Sequence, residues 1–185
     1  MHLVFLHGAP ATGKHTVGCE LAVLTAFRLY HNHLVVDEVL TRHAFGTPGF
    51  IAERDQIWRE HLTQLPAAGS KDVIFTFTPE ETVPQDFVDW LFQELPPRGV
   101  TLHSIRLVAR EAAIERRLGS ESRRSFRKLV DFDLYRRLRA AGAFASPVIP
   151  RIDLTIDTGA HPPGASARLI VQHLGMSATC GATGY

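Results

Sequence analysis

Between Gly8 and Thr16 the chain reads Gly-Ala-Pro-Ala-Thr-Gly-Lys-His-Thr, directly after the apolar run Leu3-Val4-Phe5-Leu6 and before a stretch with Val17, Leu21 and Leu24 at helical spacing. Two glycines with four residues between them and a lysine after the second let main-chain N–H groups curl around a polyphosphate, because glycine tolerates positive φ and lets a ligand approach the backbone. Lys14 then brings a point charge to the terminal phosphates. Gly8, Ala9, Pro10, Ala11, Thr12, Gly13, Lys14, His15 and Thr16 are therefore the candidate phosphate-binding residues. Ser or Thr is expected after the lysine as a magnesium ligand; His15 stands there instead, and the hydroxyl comes one residue later, at Thr16, the candidate metal ligand. An imidazole is a poor ligand for Mg²⁺, which prefers oxygen.

Three further stretches carry residue types that suit phosphoryl chemistry. His31-Asn32-His33-Leu34-Val35-Val36-Asp37-Glu38 follows the second expected strand; Asn32 is placed to cap the next helix, and His33 and Asp37 share a face one turn apart. Either could orient and deprotonate a substrate hydroxyl, the alternative being an exposed polar helix face. Between Arg110 and Lys128 lie Arg110, Arg116, Arg117, Arg123, Arg124, Arg127 and Lys128, broken by Gly119-Ser120. Arginine forks carried over a site stabilise charge building on transferring oxygens, and Arg116 and Arg123 are the candidates; a solvated amphipathic helix is the plain alternative. The turn Asp157-Thr158-Gly159-Ala160-His161-Pro162 ends the last expected strand, with Pro162 fitting the first helical turn. No acid fits the metal-positioning role at a strand end, since Asp72 starts its strand and Glu80 follows it.

These groups must be held by a scaffold, and the chain alternates strand-like and helix-like segments. Strands are expected at 2–7, 27–31, 72–78, 101–109 and 152–157, as continuous apolar runs that suit a parallel sheet covered on both faces. Helices are expected at 14–25, 34–43, 50–65, 84–95, 111–118, 131–140 and 162–174. The breaks Gly46-Thr47-Pro48-Gly49 and Pro96-Pro97-Arg98-Gly99 agree with those bounds. The fold class is α/β with right-handed crossovers.

At 185 residues the chain fits one domain, expected over 1–175, with a short lid at about 116–130 and a frayed tail at 176–185. Twenty Lys and Arg against nineteen Asp and Glu leave no global field to draw it to nucleic acid or an anionic membrane. Cys19 and Cys180 form no paired or metal-spaced set, and no run reaches membrane-spanning length, so a cytoplasmic location is expected.

The form Gly-Ala-Pro-x-x-Gly-Lys-x-Thr resembles the phosphate loop of adenylate kinases, in which the metal is held largely by water and nucleotide phosphate. Loop, strand count, arginine-bearing insertion and Asp-Thr turn together resemble the adenylate kinase and shikimate kinase branch of the P-loop NTPase superfamily, from Met1 to about Leu174. That resemblance implies a three-layer fold with a five-stranded parallel sheet ordered 2-3-1-4-5, ATP as donor with Mg²⁺, and a lid closing over a small-molecule acceptor. Lys14 and Thr16 carry over from it, as do Arg116 and Arg123 by position; Arg116 and Pro162 would border the adenine. The acidic pair that shikimate kinases carry after strand two is replaced by Asn32 and His33, which argues against shikimate as acceptor. The expected activity is ATP-dependent phosphoryl transfer to a hydroxyl or phosphate of a small molecule. A nucleotide hydrolase and a non-catalytic ATP-binding module are the alternatives.

Overall fold

The computed structural model describes residues 1–65, 71–119 and 131–176. Strands β1 (His2–His7), β2 (Arg28–His31), β3 (Val73–Phe77), β4 (Thr101–Val108) and β5 (Leu154–Asp157) form one sheet in the order β2-β3-β1-β4-β5, every pairing parallel. Helices α1 (Lys14–Thr25), α2 (His33–Val39), α3 (Pro48–Gln64), α4 (Gln85–Glu94), α5 (Glu111–Leu118), α6 (Phe132–Ala140) and α7 (Pro163–His173) are the connections. The three-layer α/β class and the strand order agree with expectation. Ser120 to Val130, with Arg123 and most of the expected lid, and the tail from Ser177 lie outside the described residues.

Strand parity divides the interior. On β1, Leu3 and Phe5 enter a core shared with Val35, Phe50, Trp58, Phe87 and Leu91 of α2, α3 and α4; Val4 and Leu6 enter a second core with Val17 and Leu21 of α1 and Ala167 and Ile170 of α7. β3 alternates likewise, Phe75 and Phe77 facing the first core and Ile74 the second. Successive side chains of a strand point to opposite faces, so continuous apolar runs are what a sheet buried on both sides demands. Tyr30 of β2 stacks on Phe75, with ring centroids 5.3 Å apart, which turns its neighbour His31 to the α1 face.

Bounds shift where local chemistry decides. α2 stops at Val39, four residues short of expectation, because Thr41 turns back onto the Glu38 carbonyl and Arg42 reaches Glu38 and Glu53. α3 starts two residues early: Thr47 accepts the Phe50 N–H at 3.3 Å, and Pro48 occupies a first-turn position that needs no donor. α7 starts at Pro163, leaving Pro162 at its exposed cap. Asn32 does not cap α2 through its side chain: its backbone is already helical, so the side chain lacks the extended φ/ψ that capping needs, and it is buried. No helix among the described residues is long and apolar enough to cross a membrane.

Two histidines set a pH dependence. Burial, then the charges of Lys14 and Arg106, push the His7 imidazole down to about 3, while its Nε2 pairs with the Ser104 hydroxyl at 3.2 Å. His103, bonded to His2 at 2.9 Å and packed near His173, is lowered as well, mainly by burial. An imidazole whose folded pKa lies below its unfolded value contributes stability that is complete above about pH 6.5 and is lost as the pH falls toward the folded value. Urea unfolding at pH 7 and pH 5 should show a loss of about 2 kcal/mol attributable to His7. His7→Gln should shrink the pH effect by that amount; an unchanged fall in the variant would show that His7 is not held neutral.

Candidate functional site

The carboxyl ends of the strands carry the loop. Gly8 donates its N–H to Phe77 O at 3.2 Å, and a Cβ at that position would stand 2.3 Å from Leu107 O, so only glycine lets the chain leave between the ends of β3 and β4. Thr12 folds the loop back, its hydroxyl donating to Ala9 O at 2.9 Å. Gly13 then takes a left-handed conformation, φ 88°, as the residue before α1. Ala11 has φ 63°, an uncommon conformation for a residue with a side chain, and is buried against Ile114, Leu118 and Tyr135.

α1 begins without a side-chain cap and without an acidic residue in its first turn. Its first-turn amides and the positive end of its dipole therefore face the hollow of the loop with no side chain of this helix competing for them, the arrangement that accepts a phosphate. The Lys14 ammonium lies across the same hollow, donating to Gly8 O at 2.7 Å and Ala9 O at 2.9 Å.

From the other side the loop is clamped by Arg117. Its Nη1 donates to the Thr158 hydroxyl at 2.9 Å and to Ala11 O at 3.2 Å, and its Nη2 donates to Thr158 O at 2.7 Å. Thr158 Oγ1 in turn lies 2.9 Å from Thr12 O. Burial and, after it, the adjacent Arg116 lower the Arg117 pKa. Arg116 itself is exposed: the buried stripe Ala113, Ile114, Leu118 sets the rotation of α5 so that Arg117 turns in and Arg116 out. The arginine that bonds the loop is thus Arg117, the neighbour of the candidate Arg116. The α5 stripe carried that signal, because Arg117 lies three and four residues from its members.

On the opposite side of α1, three imidazoles line up. The His15 and His31 ring centroids are 4.6 Å apart, and those of His31 and His33 are 5.0 Å apart. His31 Nδ1 is 2.9 Å from the hydroxyl of Thr76, its register partner on β3, and that hydroxyl also receives the Asn32 N–H at 3.4 Å. Asp37, one turn beyond the half-buried His33, is exposed, as are Thr16 and His15. His31 was not among the expected site residues; strand alternation with Tyr30 turned inward is what would have found it.

Asp72 and Glu80 are engaged elsewhere. Asp72 stands at the amino edge of the sheet and accepts the His2 N–H at 2.6 Å. Glu80 pairs with the buried Arg54 at 2.9 Å, and Arg54 also lies over the rings of Phe50 and Trp58 and donates to Thr82 O, tying the segment after β3 to α3. Arg54 sits on the stripe Phe50, Arg54, Trp58, Leu62, a cation at an apolar position and so a readable sign of a buried anchor. Among the described residues no group of three or more His, Cys, Asp or Glu is placed to hold a metal ion. Thr16 offers the oxygen that Mg²⁺ favours, the Thr12 hydroxyl being turned onto Ala9 O, and an imidazole holds the neighbouring position. These side chains do not fit a directly ligated Mg²⁺.

No family model matches the chain, and no curated protein does. Solved structures share its fold. Shikimate kinase from Bacteroides thetaiotaomicron superposes with a TM-score of 0.67 at 16% identity, covering 94% of this chain and 98% of that one. A sugar kinase from Janibacter sp. HTCC2649 gives 0.65 at 16% identity, covering 96% of each chain. The tunicamycin resistance protein of Deinococcus radiodurans gives 0.54 at 17% identity over 97% and 99%. This chain has the P-loop fold of the shikimate kinase type.

Proposed function

We propose that this protein binds ATP and transfers its terminal phosphoryl group to a hydroxyl or phosphate of a small molecule. The observation that carries the reading is the uncapped start of α1 behind the loop at residues 8–13, with Lys14 lying across it. Backbone amides from the loop and the first turn of α1 would hold the β-phosphate, and Lys14 would exchange its two loop carbonyls for phosphate oxygens. Arg117 and Thr158 would keep the loop in shape. Arg116 and Pro162, both exposed, would lie beside the base, and Arg116 with Arg123, which is outside the described residues, would stabilise the transferring group.

The acceptor would lie on the α1–β2–α2 side, where His33 and Asp37 are the proposed base and orienting group. Titrating imidazole is well matched to proton removal near neutral pH. The divalent ion of the nucleotide would neutralise phosphate charge.

Purified protein supplied with ATP, a divalent salt and acceptors drawn from shikimate, sugars, nucleosides, aminoglycosides and tunicamycin should release ADP above background with at least one of them. Steady release without any acceptor would favour a hydrolase; binding with no release would favour a non-catalytic module. Lys14→Ala should lower turnover by about 100-fold or more, and full turnover in that variant would refute the role of the loop. Arg117→Met should weaken ATP binding by about tenfold, roughly 1.4 kcal/mol, by loosening the loop, whereas Arg116→Met should act chiefly on turnover. The reverse order in calorimetric titrations would reassign the two arginines.

A further inference from the structure

The carboxyl end of β4 carries a cation that the site described so far does not use. Arg106 is the register partner of His7, the last residue of β1 before the loop, so the two side chains leave the sheet on the same face. Phe5 of β1 and Leu102 of β4, at even spacing from them, lie in the first core and identify that face. Ser104, between Leu102 and Arg106, is fully buried and meets His7 Nε2 at 3.2 Å. Toward its carboxyl end this face of β4 therefore passes from apolar to polar to charged, and Arg106 emerges exposed. Since β4 is an inner strand, flanked by β1 and β5, Arg106 stands where open parallel sheets bind their ligands, outside the carboxyl ends of the strands.

Its surroundings are short of acid. Arg42, Arg54, Arg59 and Arg151 each meet a carboxylate at 2.6–2.9 Å, whereas among the described residues Arg106 has no such partner. The charges that act on the buried His7 ring come from Lys14 and from Arg106, and both are positive. Two like charges brought to one uncharged imidazole leave a positive potential beside the loop, and an entering anion relieves their repulsion while gaining both cations.

We propose that Arg106 binds an oxyanion, a phosphate or a carboxylate, beside Lys14 on the β4 side of the loop. The inference rests on the nucleotide reading above and adds a second cation to that site. A guanidinium suits the role because its planar fork meets two oxygens at once, while the lysine acts as a point charge. His7, fixed by Ser104 and held neutral, adds no third charge. Two sources supply such a group: the terminal phosphate of the nucleotide, and an anionic substituent of the acceptor.

Calorimetric titrations of the full chain, with a divalent salt present, separate the two. Wild type and Arg106→Gln are titrated with ADP, with the non-hydrolysable analogue AMP-PNP, and with inorganic phosphate after saturation with AMP-PNP. Arg106→Gln should leave ADP binding unchanged. It should weaken AMP-PNP by about tenfold or more if the nucleotide supplies the anion, or weaken inorganic phosphate by as much, with AMP-PNP unchanged, if the acceptor does. Arg106→Lys should recover part of the loss, because it returns the charge without the fork. The His7 ring resonances, followed by NMR, should move when the anion is added to wild type and stay in place in Arg106→Gln. Arg28→Gln, which removes the same charge from an exposed position at the start of β2, should change none of these affinities. An equal loss in Arg28→Gln, or no loss of either anion in Arg106→Gln, would overturn the subsite and leave nucleotide binding intact. Wild-type protein that binds neither ADP nor AMP-PNP would instead refute the nucleotide reading, and this inference with it.

Discussion

The contact between the backbone at Gly8 and Leu107 O governs the geometry of the whole upper edge. A hydrogen atom in place of a side chain lets the chain turn out of β1 between β3 and β4, where a Cβ would sit 2.3 Å from that carbonyl. Everything placed afterwards depends on this turn: the left-handed Gly13, the uncapped first turn of α1, and the inward reach of Lys14. Several polar bonds then fix the loop from outside, so that its shape exists before a ligand arrives. Pre-shaping removes ordering entropy from the binding step, which a flexible loop would have to overcome.

Much of this architecture was legible in the sequence because its signals are local. Continuous apolar runs marked the strands, and the glycines and lysine of residues 8–14 marked the loop at the strand ends. What was not legible depends on rotation about an element's own axis. Arg116 and Arg117 are adjacent letters, and only the burial of Ala113, Ile114 and Leu118 decides which one meets the loop. His31 was hidden for the same reason: it reads as a strand end, and its direction follows from Tyr30 packing on Phe75 across a strand pairing that no local pattern specifies. Asn32 shows the opposite error, a residue of the right type for a cap in the wrong backbone conformation.

The two sides of α1 divide the chemistry. Toward α5 and the β5 turn, the loop meets arginine and hydroxyl groups that bind carbonyl oxygens and keep the backbone in place. Toward β2 lie imidazoles, one of which, His31, is bonded to the buried Thr76. One side therefore holds the shape of the loop through hydrogen bonds, and the other presents imidazoles.

Lys14 links these halves. Its charge-assisted bonds to Gly8 O and Ala9 O hold those two loop carbonyls together. A phosphate entering the hollow would exchange those bonds for stronger ones to an anion. The net gain is then smaller than the gross attraction, because the lysine already has partners in the protein. Affinity must come in larger part from the main-chain amides, whose orientation the Gly8 turn and the Arg117 clamp determine. On the proposed function, residues that make no contact with the ligand, Thr158 among them, would contribute to binding through the shape of the loop.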